Sequence, residues 1–252
     1  MPTAAGIYYS DHGGGGRGNH VIVLLHGAGG TNAHWPHQLR RLADWRVLAP
    51  DLPGHGRSRA ESPDSIEGYA EKLAAWLEGL ATVPAVLAGH SMGGAIALAL
   101  AAARPELLHA LVLIGCAAQL PVNPRLLDRL ALPGHLQPVA HSIAEWSFSE
   151  RANPQMRSRF CGQLLNSPRE LLYADFAACN AFDARPRLAG LRIPALVLSG
   201  SEDRMVSPAS SRALAAGLPR SSFQRVEGAG HMVMLEKPII VQAAIQEFLM
   251  QL

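Results

Sequence analysis

Cysteine is scarce in this chain of 252 residues: only Cys116, Cys161 and Cys179 occur, at unpatterned spacing. An odd number so placed argues against a disulfide framework and a cysteine-ligated zinc site, and fits a reducing compartment. Charge of one sign is equally short. Lys and Arg number 22 against 20 Asp and Glu, which leaves no electrostatic footprint for nucleic acid or an anionic membrane. Long apolar runs are missing too. The longest, Ala95–Ala103 and Ala110–Ile114, fall well short of the ~20 residues a membrane span needs. The opening Met1-Pro2-Thr3-Ala4-Ala5-Gly6 has neither a charged nor an apolar stretch, so no secretory signal is expected. The expectation is a soluble cytoplasmic protein; nothing in the sequence fixes its oligomeric state.

What is present is a folded-core composition, 48% hydrophobic and 17% charged, which excludes a disordered polyelectrolyte. Continuous aliphatic runs read as strands buried on both faces: Val21–Leu25, Val47–Ala49, Ala85–Ala88, Leu111–Ile114 and Ala195–Leu198. A shorter strand is expected at Ile7–Ser10, followed by four glycines at 13–16 forming a flexible turn. Helical stretches alternate with these runs at His34–Ala43, Ile66–Leu80, Met92–Ala103, Pro208–Ala216 and Pro238–Leu252. The alternation predicts an α/β fold with a mostly parallel central sheet flanked by helices. From about Ala118 to Pro186 no strand-like run appears. Candidate helices there are Pro124–Leu132, His141–Glu150, Pro154–Leu165 and Pro168–Cys179, a helical insertion into the α/β domain.

Gly89-His90-Ser91-Met92-Gly93-Gly94 lies between an apolar strand and an Ala-rich helix. That is the context of a nucleophile elbow, in which glycines permit a sharp turn that lifts a serine hydroxyl clear of the sheet. Serine needs a base, and in such a fold the order is Ser, then acid, then His. His231, in the glycine loop Glu227-Gly228-Ala229-Gly230-His231-Met232, meets that order. The acid is Asp203, preferred over its neighbour Glu202 because Asp203-Arg204-Met205-Val206 runs straight into the next helix. Oxyanion donors are expected from the backbone N–H of Met92 and of Ala28, the latter in His26-Gly27-Ala28-Gly29-Gly30. His26 reads as an anchor of that loop.

These segments, with Asp51-Leu52-Pro53-Gly54-His55-Gly56-Arg57-Ser58, run in one order from about residue 20 to the end. In that order they resemble the serine hydrolases of the α/β-hydrolase superfamily, the carboxylesterase-like members with a helical cap. The resemblance implies a core of residues 1–117 and 187–252, a cap at 118–186, and a structural turn at Asp51–Ser58 in which neither Asp51 nor His55 is catalytic. It implies an acyl-enzyme route on small to medium, mostly apolar esters, with no cofactor and no metal. Ser91 argues against the dehalogenase and epoxide hydrolase branches, which place an aspartate there. Gly29-Gly30, His90 and Met232 depart from the pattern of meta-cleavage C–C bond hydrolases. That activity stays an alternative beside thioesterase or acyl-carrier methyl esterase, lactonase and perhydrolase, and a non-catalytic ligand-binding relative.

Three further features have plain readings. His34 and His37, three apart, are expected at a solvated helix start, with no third ligand to make a metal site. Trp146, Phe148, Phe160, Tyr173 and Phe176 either line a substrate pocket or join the insertion to the main domain. Arg151, Arg157 and Arg159 read as a solvated face, with docking of an acidic carrier protein as the alternative.

Overall fold

Side-chain alternation along each strand divides the aliphatic residues between two faces. In Val21–Leu25, residues Val21, Val23 and Leu25 enter one core, and Ile22 and Leu24 enter the other. The computed structural model describes residues 3–13 and 20–252; of the expected turn at glycines 13–16, residues 14–16 lie outside them. Its strands are β1 (Thr3–Ala4), β2 (Ile7–His12), β3 (Val21–Leu25), β4 (Arg46–Pro50), β5 (Ala85–His90), β6 (Leu108–Ile114), β7 (Ala195–Gly200) and β8 (Ser221–Val226). They form one sheet in the order β1-β2-β4-β3-β5-β6-β7-β8. β2 is antiparallel to both its neighbours, and the remaining pairs are parallel.

The helices are α1 (His37–Arg40), α2 (Ile66–Gly79), α3 (Met92–Ala103), α4 (Pro124–Ala131), α5 (Leu136–Ser147), α6 (Pro154–Leu165), α7 (Arg169–Ala181), α8 (Pro208–Gly217), α9 (Val233–Glu236) and α10 (Pro238–Leu249). α2, α3 and α8 cover one face of the sheet, and α1 and α10 the other. No helix among the described residues is long and apolar enough to cross a membrane. Cys116, Cys161 and Cys179 are free.

Two expected helices differ. The stretch His34–Ala43 is helical only over His37–Arg40, after a 3-10 turn at Asn32–His34. Pro36 lacks the N–H a continuing helix needs and drives Trp35 to an extended conformation, φ −86° and ψ 124°. α5 starts earlier than expected, just after Gly134 at φ +80°, because Pro138 is harmless within a first turn. β8 was not expected at all: Ser-Ser-Phe-Gln-Arg-Val is a mostly polar edge strand.

α4 to α7 form one excursion between β6 and β7. Its two ends are pinned side by side. Gln119 and Asp183 form an antiparallel bridge, and Ala184 N–H donates to the Ala118 carbonyl at 2.8 Å. The insert seats over the carboxyl edge of the sheet. There β3 and β5 are neighbours while the chain departs from them in opposite directions, the crevice where open α/β sheets hold ligands.

Candidate active site

The β5–α3 junction forces one residue into a strained turn. Ser91 has φ 53° and ψ −117°, a conformation that costs a non-glycine residue ~1–3 kcal/mol. Glycines on either side allow it. A Cβ at Gly89 would stand 2.3 Å from the Gly93 carbonyl oxygen, and one at Gly93 would stand 2.3 Å from the Leu25 carbonyl oxygen. The backbone is fixed by Ser91 N–H donating to the Ile114 carbonyl at 2.9 Å. Met92 begins α3, so its N–H has no intrahelical acceptor.

Two loops bring the other groups over this turn. After β7, Asp203 Oδ1 accepts the N–H groups of Met205 (2.9 Å) and Val206 (2.8 Å). That leaves Oδ2 for the His231 ring, whose Nδ1–H donates to it at 2.9 Å. Both side chains are almost wholly buried. Glu202 instead points to the surface and accepts the Glu150 N–H at 3.3 Å. After β8, close packing sets the histidine loop. A Cβ on Gly115 would lie 3.1 Å from His231 Nδ1, and Gly230 N–H donates to Glu236 at 2.8 Å.

The loop after β3 is a β-turn closed by Gly30 N–H donating to the Gly27 carbonyl at 3.0 Å. Only its third residue, Gly29, has positive φ (+62°), as a type II turn requires. His26 anchors it as expected. Its Nδ1–H donates to the Gly27 carbonyl at 2.9 Å, and its Nε2 accepts the Leu52 N–H at 2.9 Å. Burial, then the nearby His55, hold His26 well below the usual histidine range, so this ring is neutral.

Ser91, His231, Gly27 and Ala28 line one cavity of about 30 Å³. That is small beside the roughly 300–1,000 Å³ of pockets for drug-sized ligands. Phe160 and Phe176 line it, together with Ile143 and Met205. The other aromatics do not. Phe148 is buried behind Phe160, edge-on at 5.7 Å. Trp146 lines a separate surface hollow with Arg125 and Arg129. Tyr173 is 38% exposed. The reason is helical phase. On α7, Leu172 and Phe176 are one turn apart and face inward, whereas Tyr173 sits a step further round.

The wall also holds two histidines that the sequence did not point to. His34 is buried, not solvated, and lines the cavity with His90; His37 is exposed. His90 Nε2–H donates to the His231 carbonyl at 3.1 Å, leaving its Nδ1, like His34 Nε2, without a hydrogen-bond partner among the described residues. Burial, then the neighbouring His231, push His90 well below the ordinary value. Burial above all pushes His34 down to about 4, with the Gln163 side chain and Asp51 pulling the other way. Of the arginine cluster, Arg157 is engaged by the Ser149 carbonyl at 2.9 Å and Glu145 at 3.3 Å; Arg151 and Arg159 are exposed.

Residues 22–244 match the profile of the alpha/beta hydrolase family. The chain belongs to that family. Among its relatives is a putative carbamate hydrolase, RutD, of Caulobacter vibrioides, 31% identical over 98% of this chain and 96% of that one. Among solved structures, a thermophilic esterase from Thermogutta terrifontis superposes with a TM-score of 0.87 at 29% identity, covering 97% of this chain and 93% of that one. The enol-lactonase from Burkholderia xenovorans LB400 gives 0.89 at 25% identity, over 97% and 96%. This alpha/beta hydrolase is thus similar to proteins described as a putative carbamate hydrolase, an esterase and an enol-lactonase.

Proposed function

We propose that this chain is a serine hydrolase that cleaves carboxylic esters of compact, mostly apolar acids through an acyl-enzyme. One observation carries the reading: the strained Ser91 turn and His231, whose ring is held from behind by Asp203, open onto the same cavity. Because Nδ1 of His231 donates to Asp203, its Nε2 carries the lone pair and serves as base. Ser91 Oγ attacks the carbonyl carbon as His231 takes its proton. The N–H groups of Ala28 and Met92 stabilise the oxyanion. His231 returns the proton to the leaving alcohol, and water then releases the acid by the same relay. Residues 118–186 act as a cap that closes the acyl pocket and excludes bulk water.

The small cavity favours short acyl groups over long lipid chains. A carbamate substrate is the second reading. It is favoured by the unpartnered His34 Nε2 and His90 Nδ1 in the wall, which suit an acyl part bearing polar atoms. The test is a panel on purified protein: 4-nitrophenyl acetate, butyrate and palmitate, a simple carbamate and an enol-lactone. It is read with fluorophosphonate labelling of the wild type and Ser91→Ala. Turnover concentrated in acetate and butyrate, with labelling abolished by Ser91→Ala, supports the ester reading. Preference for the carbamate moves the assignment to the second, and undiminished turnover by Ser91→Ala removes both.

A further inference from the structure

Asp175, on α7 of the insert, is a carboxylate with no exposure at all. Burying a charge is costly, and a buried ion pair rarely repays that cost as stability alone. Its three donors come from three separate core segments. Oδ2 accepts Gly29 N–H at 2.8 Å and the His55 Nε2–H at 2.8 Å; Oδ1 accepts the Tyr69 hydroxyl at 3.0 Å. The other His55 nitrogen donates to the Pro53 carbonyl at 3.0 Å. Both ring nitrogens therefore face acceptors, which favours the imidazolium. Burial alone would lower the His55 pKa, but the Asp175 charge and hydrogen bond outweigh it and raise it.

Gly29 is gripped on every side by the insert. Its N–H goes to Asp175, its carbonyl accepts the Ser167 hydroxyl at 3.2 Å, and a Cβ on it would stand 2.6 Å from Leu172 and 3.0 Å from Leu164. On the other side of Ala28, the Gly27 carbonyl is held by His26 and Gly30 N–H. Ala28 hangs between these two pinned peptides. The N–H of Gly29 belongs to the central peptide of the type II turn, the one that rotates when such a turn changes type.

We propose that Asp175 is the positioning residue of the oxyanion hole: by holding Gly29 N–H it fixes the turn that aims Ala28 N–H at the oxyanion, so the hole is complete only with the insert seated. This rests on the serine-hydrolase reading above. Asp175 touches no reacting atom, so its loss acts through the loop.

The test is Asp175→Asn, with kcat normalised to active sites titrated by fluorophosphonate. The expected result is a fall in kcat of about 10²-fold, the size of losing one oxyanion donor, with KM changed less than about twofold. Affinity for a trifluoromethyl ketone, which forms a tetrahedral adduct, should fall in parallel with kcat/KM. A merely structural role would lower the titrated fraction and leave kcat per site and the ketone affinity unchanged, which overturns the proposal. If Asp175→Asn does not fold, Ser167→Ala decides. A severalfold fall in kcat per site at constant KM supports the proposal, and wild-type kcat overturns it. Turnover by Ser91→Ala would instead sink the underlying reading.

Discussion

Lowering the pH from 7 to 5 should destabilise this protein through His34. The ring is buried and neutral, with a folded-state pKa of about 4 against an unfolded value of ~6.5. A base whose pKa falls on folding contributes stability above its unfolded pKa and loses it as pH drops toward the folded value. The unfolded chain then binds a proton that the native one refuses. The gap implies a total loss of ~3 kcal/mol, of which ~2 kcal/mol falls between pH 7 and pH 5. His26 and His90 are lowered in the same direction, and His55 is raised and opposes them. Comparing wild type with His34→Gln cancels these, since both proteins keep them. Glutamine fills similar space and does not titrate. Urea unfolding at pH 7, 6 and 5 should show the wild type losing ~2 kcal/mol more than the variant across the range. Parallel plots of unfolding free energy against pH would refute the argument, because a neutral, inaccessible His34 cannot be reconciled with them.

Three other outcomes follow from the site. Ser91→Ala should lose turnover with the fold intact, while Ser91→Gly, which relieves φ 53°, should raise unfolding free energy by ~1 kcal/mol in the same urea assay. Asp203→Asn should lower kcat by ~10⁴, the cost of the corresponding change in a serine protease triad, and Glu202→Gln should stay within about threefold; the reverse ranking in a 4-nitrophenyl acetate assay would reassign the acid. Phe160→Ala enlarges the wall of a cavity of about 30 Å³, so the preferred acyl length in an ester series should shift upward, at a stability cost of ~3 kcal/mol for the buried ring. An unchanged chain-length profile would place Phe160 outside the acyl pocket.

The central strands were readable because each is buried on both faces and carries an unbroken aliphatic run; β8, polar and at the edge, carries none. Glycines marked the turns around Ser91 and His231, since packing forbids a side chain there. The acid was less legible. Glu202 and Asp203 are adjacent, and only the loop geometry turns Asp203 inward and Glu202 out. Residue type alone groups Trp146, Phe148 and Tyr173 with Phe160 and Phe176; only helical phase and packing separate the wall residues from the rest. A phase reading would also have found Asp175, a charge set in the apolar stripe of Leu171, Leu172, Phe176 and Cys179 on α7. His34 and His90 left no such signal, because their burial depends on contacts between distant segments.

The pinned neck of the insert has a consequence for how such a protein can change. Because Ala118 and Ala184 are hydrogen-bonded neighbours, the chain leaves the sheet and returns at almost the same place. To β6 and β7 the whole excursion is a closed loop, and doubling the length of a loop costs only ~0.6 kcal/mol in closure entropy. The wall of the site can therefore be exchanged as a cassette between those two residues, with strand register and the Ser91 turn untouched. What a transplanted segment must supply is a carboxylate where Asp175 stands; without it, Gly29 N–H would lose its acceptor and the loop after β3 would keep only the contacts of Gly27 with His26 and Gly30.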